Sequence, residues 1–74
     1  MSHLPVVSGQ EAVRAFEKFG WVFRGQVGSH MVMTKEGVPA NLSVPNHKEL
    51  APGTLRKLIR YSGLSVEEFT YSLK

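Results

Sequence analysis

The chain has 74 residues, no cysteine and no Asp, with nine Lys and Arg against six Glu for a net charge of +3. One domain over residues 1–74 builds a core worth only ~3–5 kcal/mol. Without cysteine it has no disulfide framework, thiolate zinc site or cysteine nucleophile. With Glu as the only acid and three scattered His, neither a carboxylate cage for a divalent metal nor any other cofactor is expected.

Residues 1–5 read as a tail, with Leu4 able to dock. Ser8-Gly9-Gln10-Glu11 has the form of a capping box, in which each side chain satisfies a backbone N–H of the other residue. Ala12, Phe16 and Phe19 then recur at helical spacing, and Gly20 supplies a left-handed stop. The spacing predicts a helix from Gly9 to Phe19. The period changes to two at Trp21, giving a strand to Val27 with Trp21, Phe23 and Val27 on one face and Val22, Arg24 and Gln26 on the other. A second strand follows from His30 to Lys35, then a Glu36-Gly37 turn. A third strand runs from Val38 to Val44, with Ala40, Leu42 and Val44 inward. Pro39 has no N–H for the ladder, so this is expected to be an edge strand or one that starts late. After a loop from Pro45 to Ala51, Pro52 suits a first helical turn. Leu55, Leu58, Ile59 and Ser62 share the apolar face of that helix, and Gly63 ends it. Ser65-Val66-Glu67-Glu68 is a second capping box, opening a short helix that carries Phe69 and Leu73. The order α-β-β-β-α-α predicts an α+β fold whose helices cover one face of a three-stranded antiparallel sheet. The other face stays open.

Parity refines this picture. With Glu36 and Gly37 as the whole turn, Met33 lies opposite Ala40 and Met31 opposite Leu42. His30 then faces Ser43 on the open side, with Val32, Thr34 and Asn41. The first hairpin leaves two alternatives: a three-residue loop over 27–29 puts Arg24 and Gln26 beside His30, and a two-residue Gly28-Ser29 loop puts Trp21 and Phe23 there. The three-residue loop is favoured because it gives one coherent apolar face and a mostly polar open one.

No apolar run approaches the ~18 residues of a membrane span. The first basic residue is Arg14, so the charged start of a signal peptide is not expected. These features point to a soluble, cytoplasmic chain.

Gly28-Ser29-His30 is the tripeptide richest in chemistry. The ordinary reading, which the residues alone favour, is a hairpin turn followed by a solvated His. The alternative is an imidazole held at a strand start for general acid or base work. Ser29 has no Asp for a Ser-His-Asp triad. His47, in the loop, reads as a surface or helix-capping residue, not as a zinc partner of His30. Lys48, Arg56, Lys57 and Arg60 form either an ordinary solvated face or a phosphate-binding stripe, aided by backbone N–H groups near Gly53 and Thr54. Met31, Met33, Trp21 and Phe23 read as core. Composition and spacing stop at a small domain with an open basic face, and do not separate enzyme from passive binder.

Phe19-Gly20-Trp21, Arg24, Gly28-Ser29-His30, Val44-Pro45-Asn46-His47-Lys48-Glu49-Leu50, Pro52-Gly53-Thr54-Leu55-Arg56-Lys57-Leu58-Ile59 and Gly63-Leu64-Ser65 occur in that order. Together they resemble the HicA (YcfA-like) toxins of toxin–antitoxin systems, over about Leu4 to Leu73. The resemblance implies a double-stranded-RNA-binding-like fold and a metal-independent endoribonuclease acting on mRNA. It implies His30 as catalytic residue and a HicB-type antitoxin that masks the active face. The RNA contacts expected with it are Arg24, Gly28, Ser29, Lys48, Arg56 and Lys57. Two departures stand out: Met33 replaces a frequent aromatic residue, and the loop around Lys48 is shorter than the common form. The rival reading is a non-catalytic RNA-binding module of the same fold.

Overall fold

A computed structural model describes residues 3–74, so Met1 and Ser2 of the expected tail lie outside the described residues. Leu4 does dock: it packs, partly buried, against the core. Helix α1 spans Gly9–Glu17. Its capping box is complete, with Ser8 Oγ accepting from Glu11 N at 3.0 Å and Glu11 Oε1 accepting from Ser8 N at 2.8 Å. The α-helical hydrogen bonds stop two residues before Phe19. Lys18, Phe19 and Gly20 instead donate to the carbonyls three residues back, at 3.2, 2.9 and 3.2 Å. Trp21 N then reaches Phe16 O at 3.3 Å, past Gly20 at φ +95°. This is a Schellman closure, and the left-handed glycine it requires is the one the sequence supplied.

Strands β1 (Val22–Val27), β2 (His30–Lys35) and β3 (Val38–Pro45) form an antiparallel sheet in the order β1-β2-β3. Strand β3, with exposed Pro39, is accordingly at an edge. Both hairpins depart from the expected register. In the first, Val27 pairs with His30, so the loop is the two-residue Gly28-Ser29 turn and not a three-residue one. Trp21 and Phe23 nevertheless stay on the helix side, because the ladder shifts between Phe23 and Gly25, but only Trp21 joins the core as expected: Phe23, on an edge strand, is 43% exposed. Gly25 sits at φ +146°, a conformation that L side chains rarely adopt, and it absorbs the extra residue as a β-bulge. Beyond the bulge the faces exchange. Gln26, opposite Met31, turns to the helices, whereas Val27, opposite His30, turns away from them and is 72% exposed.

In the second hairpin the Glu36-Gly37 turn is as expected, with Lys35 opposite Val38 and Gly37 at φ +83°. Two further residues are then absorbed, so Met33 pairs with Leu42, Met31 with Val44 and His30 with Pro45. The displacement is even, so it keeps each side chain on its expected face. Leu42 and Val44 are buried as expected, but Ala40 is exposed, because it lies in the irregular stretch beside Pro39.

Helix α2 (Pro52–Ser62) follows a loop whose backbone is tied to the chain start, with Gly9 N donating to His47 O at 2.9 Å and Leu50 N to Val7 O at 2.8 Å. Gly9 is required here: a Cβ would run into the Pro45 carbonyl. Helix α2 buries the four residues expected, Leu55, Leu58, Ile59 and Ser62, and ends at Gly63 with φ +83°. Helix α3 (Val66–Ser72) starts from the Ser65–Glu68 capping box and packs against α1 and α2. The rings of Phe16 and Phe69 meet at 5.1 Å in a tilted geometry. Lys18 Nζ donates to Ser72 O at 2.5 Å, placing a cation at the carbonyl end of α3. Met31, Met33, Leu42 and Val44 form the sheet's contribution to this core. The result is the α+β, one-sided arrangement that the resemblance implied.

Candidate functional site on the open sheet face

His30 begins β2 directly after the turn, on the face the helices leave uncovered. Gly28 has φ +60° and Ser29 is not left-handed, the pattern of a II′ hairpin turn. Both turn carbonyls are held. Asn46 N donates to Ser29 O at 2.7 Å, and Gln26 Nε2 donates to Gly28 O at 2.8 Å. Asn46 Nδ2 in turn donates to Gln26 Oε1 at 3.2 Å, while Gln10 Nε2 approaches Asn46 Oδ1 at 3.5 Å. A chain of amides from the start of α1 therefore clamps the turn that delivers His30. The imidazole is exposed and makes no hydrogen bond to any described residue. Both ring nitrogens are free for a ligand.

Arg24 shares this face. Its Nε donates to Thr34 Oγ1 at 2.9 Å, which lays the guanidinium along the sheet and leaves its other N–H groups available. Val22, Val27 and Val32 also lie here, so the face is less polar than expected: the bulge exchanged Gln26 for Val27. Across β3, Asn41 and Ser43 carry the open face to a groove bordered by Lys57 and Tyr61 of α2.

The remaining basic residues do not converge on His30. Lys48 borders a shallow hollow with Ser8, Gln10, Asn46 and His47 beside the start of α1. Arg56 is exposed on α2, away from the apolar face that meets the sheet. The His47 side chain does not cap α2, whose N-cap is Ala51 without a side-chain bond. The amides of Gly53 and Thr54 therefore stay available to an anion, as the stripe reading required. Among the described residues, no group of three or more His and Glu side chains gathers as a metal site needs.

The structure thus places His30, Gly28 and Ser29 at one end of the open face and Arg24 beside Thr34, four positions or ~13 Å along β2, with Lys57 at the border and Lys48 and Arg56 elsewhere. Sequence reasoning missed Gln26 and Asn46. They are 20 residues apart, and their bond exists only because the bulge turns Gln26 toward the helix side.

A family model described as the HicA toxin of bacterial toxin–antitoxin systems matches residues 9–64. The chain belongs to the HicA toxin family. The matched span contains α1, the whole sheet and α2, and with them every residue of the site described above. A search of the curated proteins finds no match. As a HicA toxin the chain is one half of a toxin–antitoxin pair, and an antitoxin is its implied partner. Among the described residues no helix is long and apolar enough to cross a membrane.

Proposed function

We propose that this HicA toxin is an endoribonuclease that cleaves mRNA in the cytoplasm without a metal, using His30 as its acid–base residue. The observation that carries the proposal is the unpartnered imidazole, held on an open sheet face by a turn whose two carbonyls are both clamped. Fixed position and free nitrogens are what proton transfer to a bound substrate requires. In the proposed step, His30 takes the proton of a ribose 2′-hydroxyl as that oxygen attacks the adjacent phosphorus. The bond from phosphorus to the 5′ oxygen breaks, and the proton passes to that leaving oxygen. The products are a 2′,3′-cyclic phosphate and a 5′-hydroxyl end. Arg24, further along the same face beside Thr34, holds a phosphate of the bound strand and adds to the positive field at the cleaved one. Gly28 and Ser29 offer close backbone approach, and Lys57 holds a neighbouring phosphate. Lys48 and Arg56 contribute attraction at longer range.

A HicB-like antitoxin covering this face fits the same surface. Val22 and Val27 are exposed beside Arg24 and His30, an apolar patch within a cationic rim that suits an acidic protein partner.

One observation favours the rival reading, a non-catalytic RNA-binding module: among the described residues, the paired strand positions of the open face carry His30 and no carboxylate to share the proton transfer. Incubating the protein with an mRNA in excess EDTA decides between them. Cleavage by the wild-type protein that disappears in His30→Ala, with RNA binding retained, supports the ribonuclease. Binding without cleavage by the wild type leaves the module.

A further inference from the structure

Two tyrosines are strongly exposed, Tyr61 at 63% and Tyr71 at 74%, and their surroundings differ. Lys74 Nζ stands over the Tyr71 ring, 5.5 Å from its centroid, so one π face is occupied. Glu67, itself partnered, borders the same hollow. Tyr61 has neither neighbour. It lies one helical turn beyond Lys57, and the two border a groove whose far wall is Asn41 and Ser43 of β3. Among the described residues no acid borders this groove. The side chains of Asn41, Ser43 and Lys57 make no hydrogen bond or ion pair with the described residues. An aromatic plane, an amide that both donates and accepts, a hydroxyl and an ammonium are thus grouped and free. The groove also continues the face of His30: Ser43 pairs with Val32, two positions along β2 from His30. That is ~7 Å of strand, about one nucleotide's reach.

We propose that this groove is a subsite for one unpaired RNA nucleotide flanking the cleaved phosphodiester. Tyr61 stacks on its base, Asn41 and Ser43 hydrogen-bond the base edge, and Lys57 takes its phosphate. The subsite rests on the ribonuclease reading and adds to it a requirement for single-stranded substrate, because a base already stacked in a duplex cannot use Tyr61.

The test uses His30→Ala protein, which holds RNA uncut, and compares single-stranded oligoribonucleotides with an RNA duplex. Adding Tyr61→Ala weakens single-strand binding roughly five- to a hundredfold, whereas Tyr61→Phe, which keeps the π face, stays within about twofold. Duplex binding does not change. Thermal unfolding is the same for all variants, since the ring is exposed. Equal single-strand affinity with and without Tyr61→Ala, or equal loss on the duplex, overturns the subsite. So does a Tyr61→Ala effect confined to binding of the antitoxin, which would make the groove a protein contact. The two proposals fail separately. If the wild-type protein does not cut RNA, the ribonuclease reading falls; if it cuts and Tyr61→Ala leaves binding and cutting intact, only the subsite does.

Discussion

Strand β2 presents consecutive residues to two faces with opposite properties. Met31 and Met33 are 4% and 0% exposed among Leu42, Val44 and the helices, whereas His30, Val32 and Thr34 face away from that core. The helix side holds the apolar contacts that make so small a chain fold. The open side contributes little to stability, so its side chains are free to serve a ligand. An exposed His followed by a buried Met also gives a direct internal control: neighbouring substitutions in one strand should fail in different ways.

The largest effect is expected on the covered face. Met33→Ala removes a fully buried side chain, a loss of ~2–5 kcal/mol that consumes most of the ~3–5 kcal/mol available to a core of this size. Circular dichroism should show the variant largely unfolded near room temperature, with all RNA-dependent properties lost. A cooperative melt close to that of the parent would show that the covered face is not where stability resides.

His30→Ala comes next. It should lower cleavage by about 10²–10⁴ while changing unfolding free energy by no more than ~0.5 kcal/mol, with RNA affinity nearly unchanged. Loss of folding would mean that β2 is rotated relative to the faces described, and wild-type cleavage would remove His30 from the mechanism.

The bulge that separates the two faces is the third target. Nothing lies within 4 Å of a Cβ built at Gly25, so the cost of Gly25→Ala is backbone strain at φ +146° and not crowding. We expect ~1–3 kcal/mol of destabilisation in thermal unfolding. If the variant folds by straightening β1, backbone NMR should show Val27 and Gln26 exchanging faces. An unchanged melting temperature with an unchanged ladder would show that the bulge does not need its glycine.

That bulge also marks the limit of what the sequence disclosed. Element order, both capping boxes, the Gly20 and Gly63 stops and the buried side of α2 follow from local chemistry and were legible. The face of His30 was legible because the β3 displacement is even and parity survives it. Val27 and Gln26 were placed on the wrong faces because an odd insertion inverts parity beyond it. A glycine inside a strand was the available signal. The Asn46–Gln26 clamp had no local signal, since it joins residues that only the folded hairpins bring together. Charge count foretold a basic surface but not that Lys48, Arg56 and Arg24 lie on different parts of it.

The smallest effect concerns that division of charge. Arg24 lies along the open face against Thr34, whereas Arg56 is exposed on α2. Single-stranded RNA binding should lose ~0.7 from the salt-dependence slope for each phosphate contact removed. Arg24→Gln is therefore expected to flatten the slope by about that amount and to lower affinity a few-fold at physiological salt. Arg56→Gln should change the slope by well under half as much, because it adds only screened, longer-range attraction. Neither change should move the unfolding free energy by more than ~0.5 kcal/mol, since both side chains are exposed. Titrating both variants between low and physiological salt measures the difference directly. Equal slopes for the two would mean that RNA wraps α2 as closely as the sheet, so that the footprint extends beyond the open face. A normal slope for Arg24→Gln together with a reduced cleavage rate would show that Arg24 acts on the phosphoryl group only as charge develops in the transition state, and not in holding the bound strand.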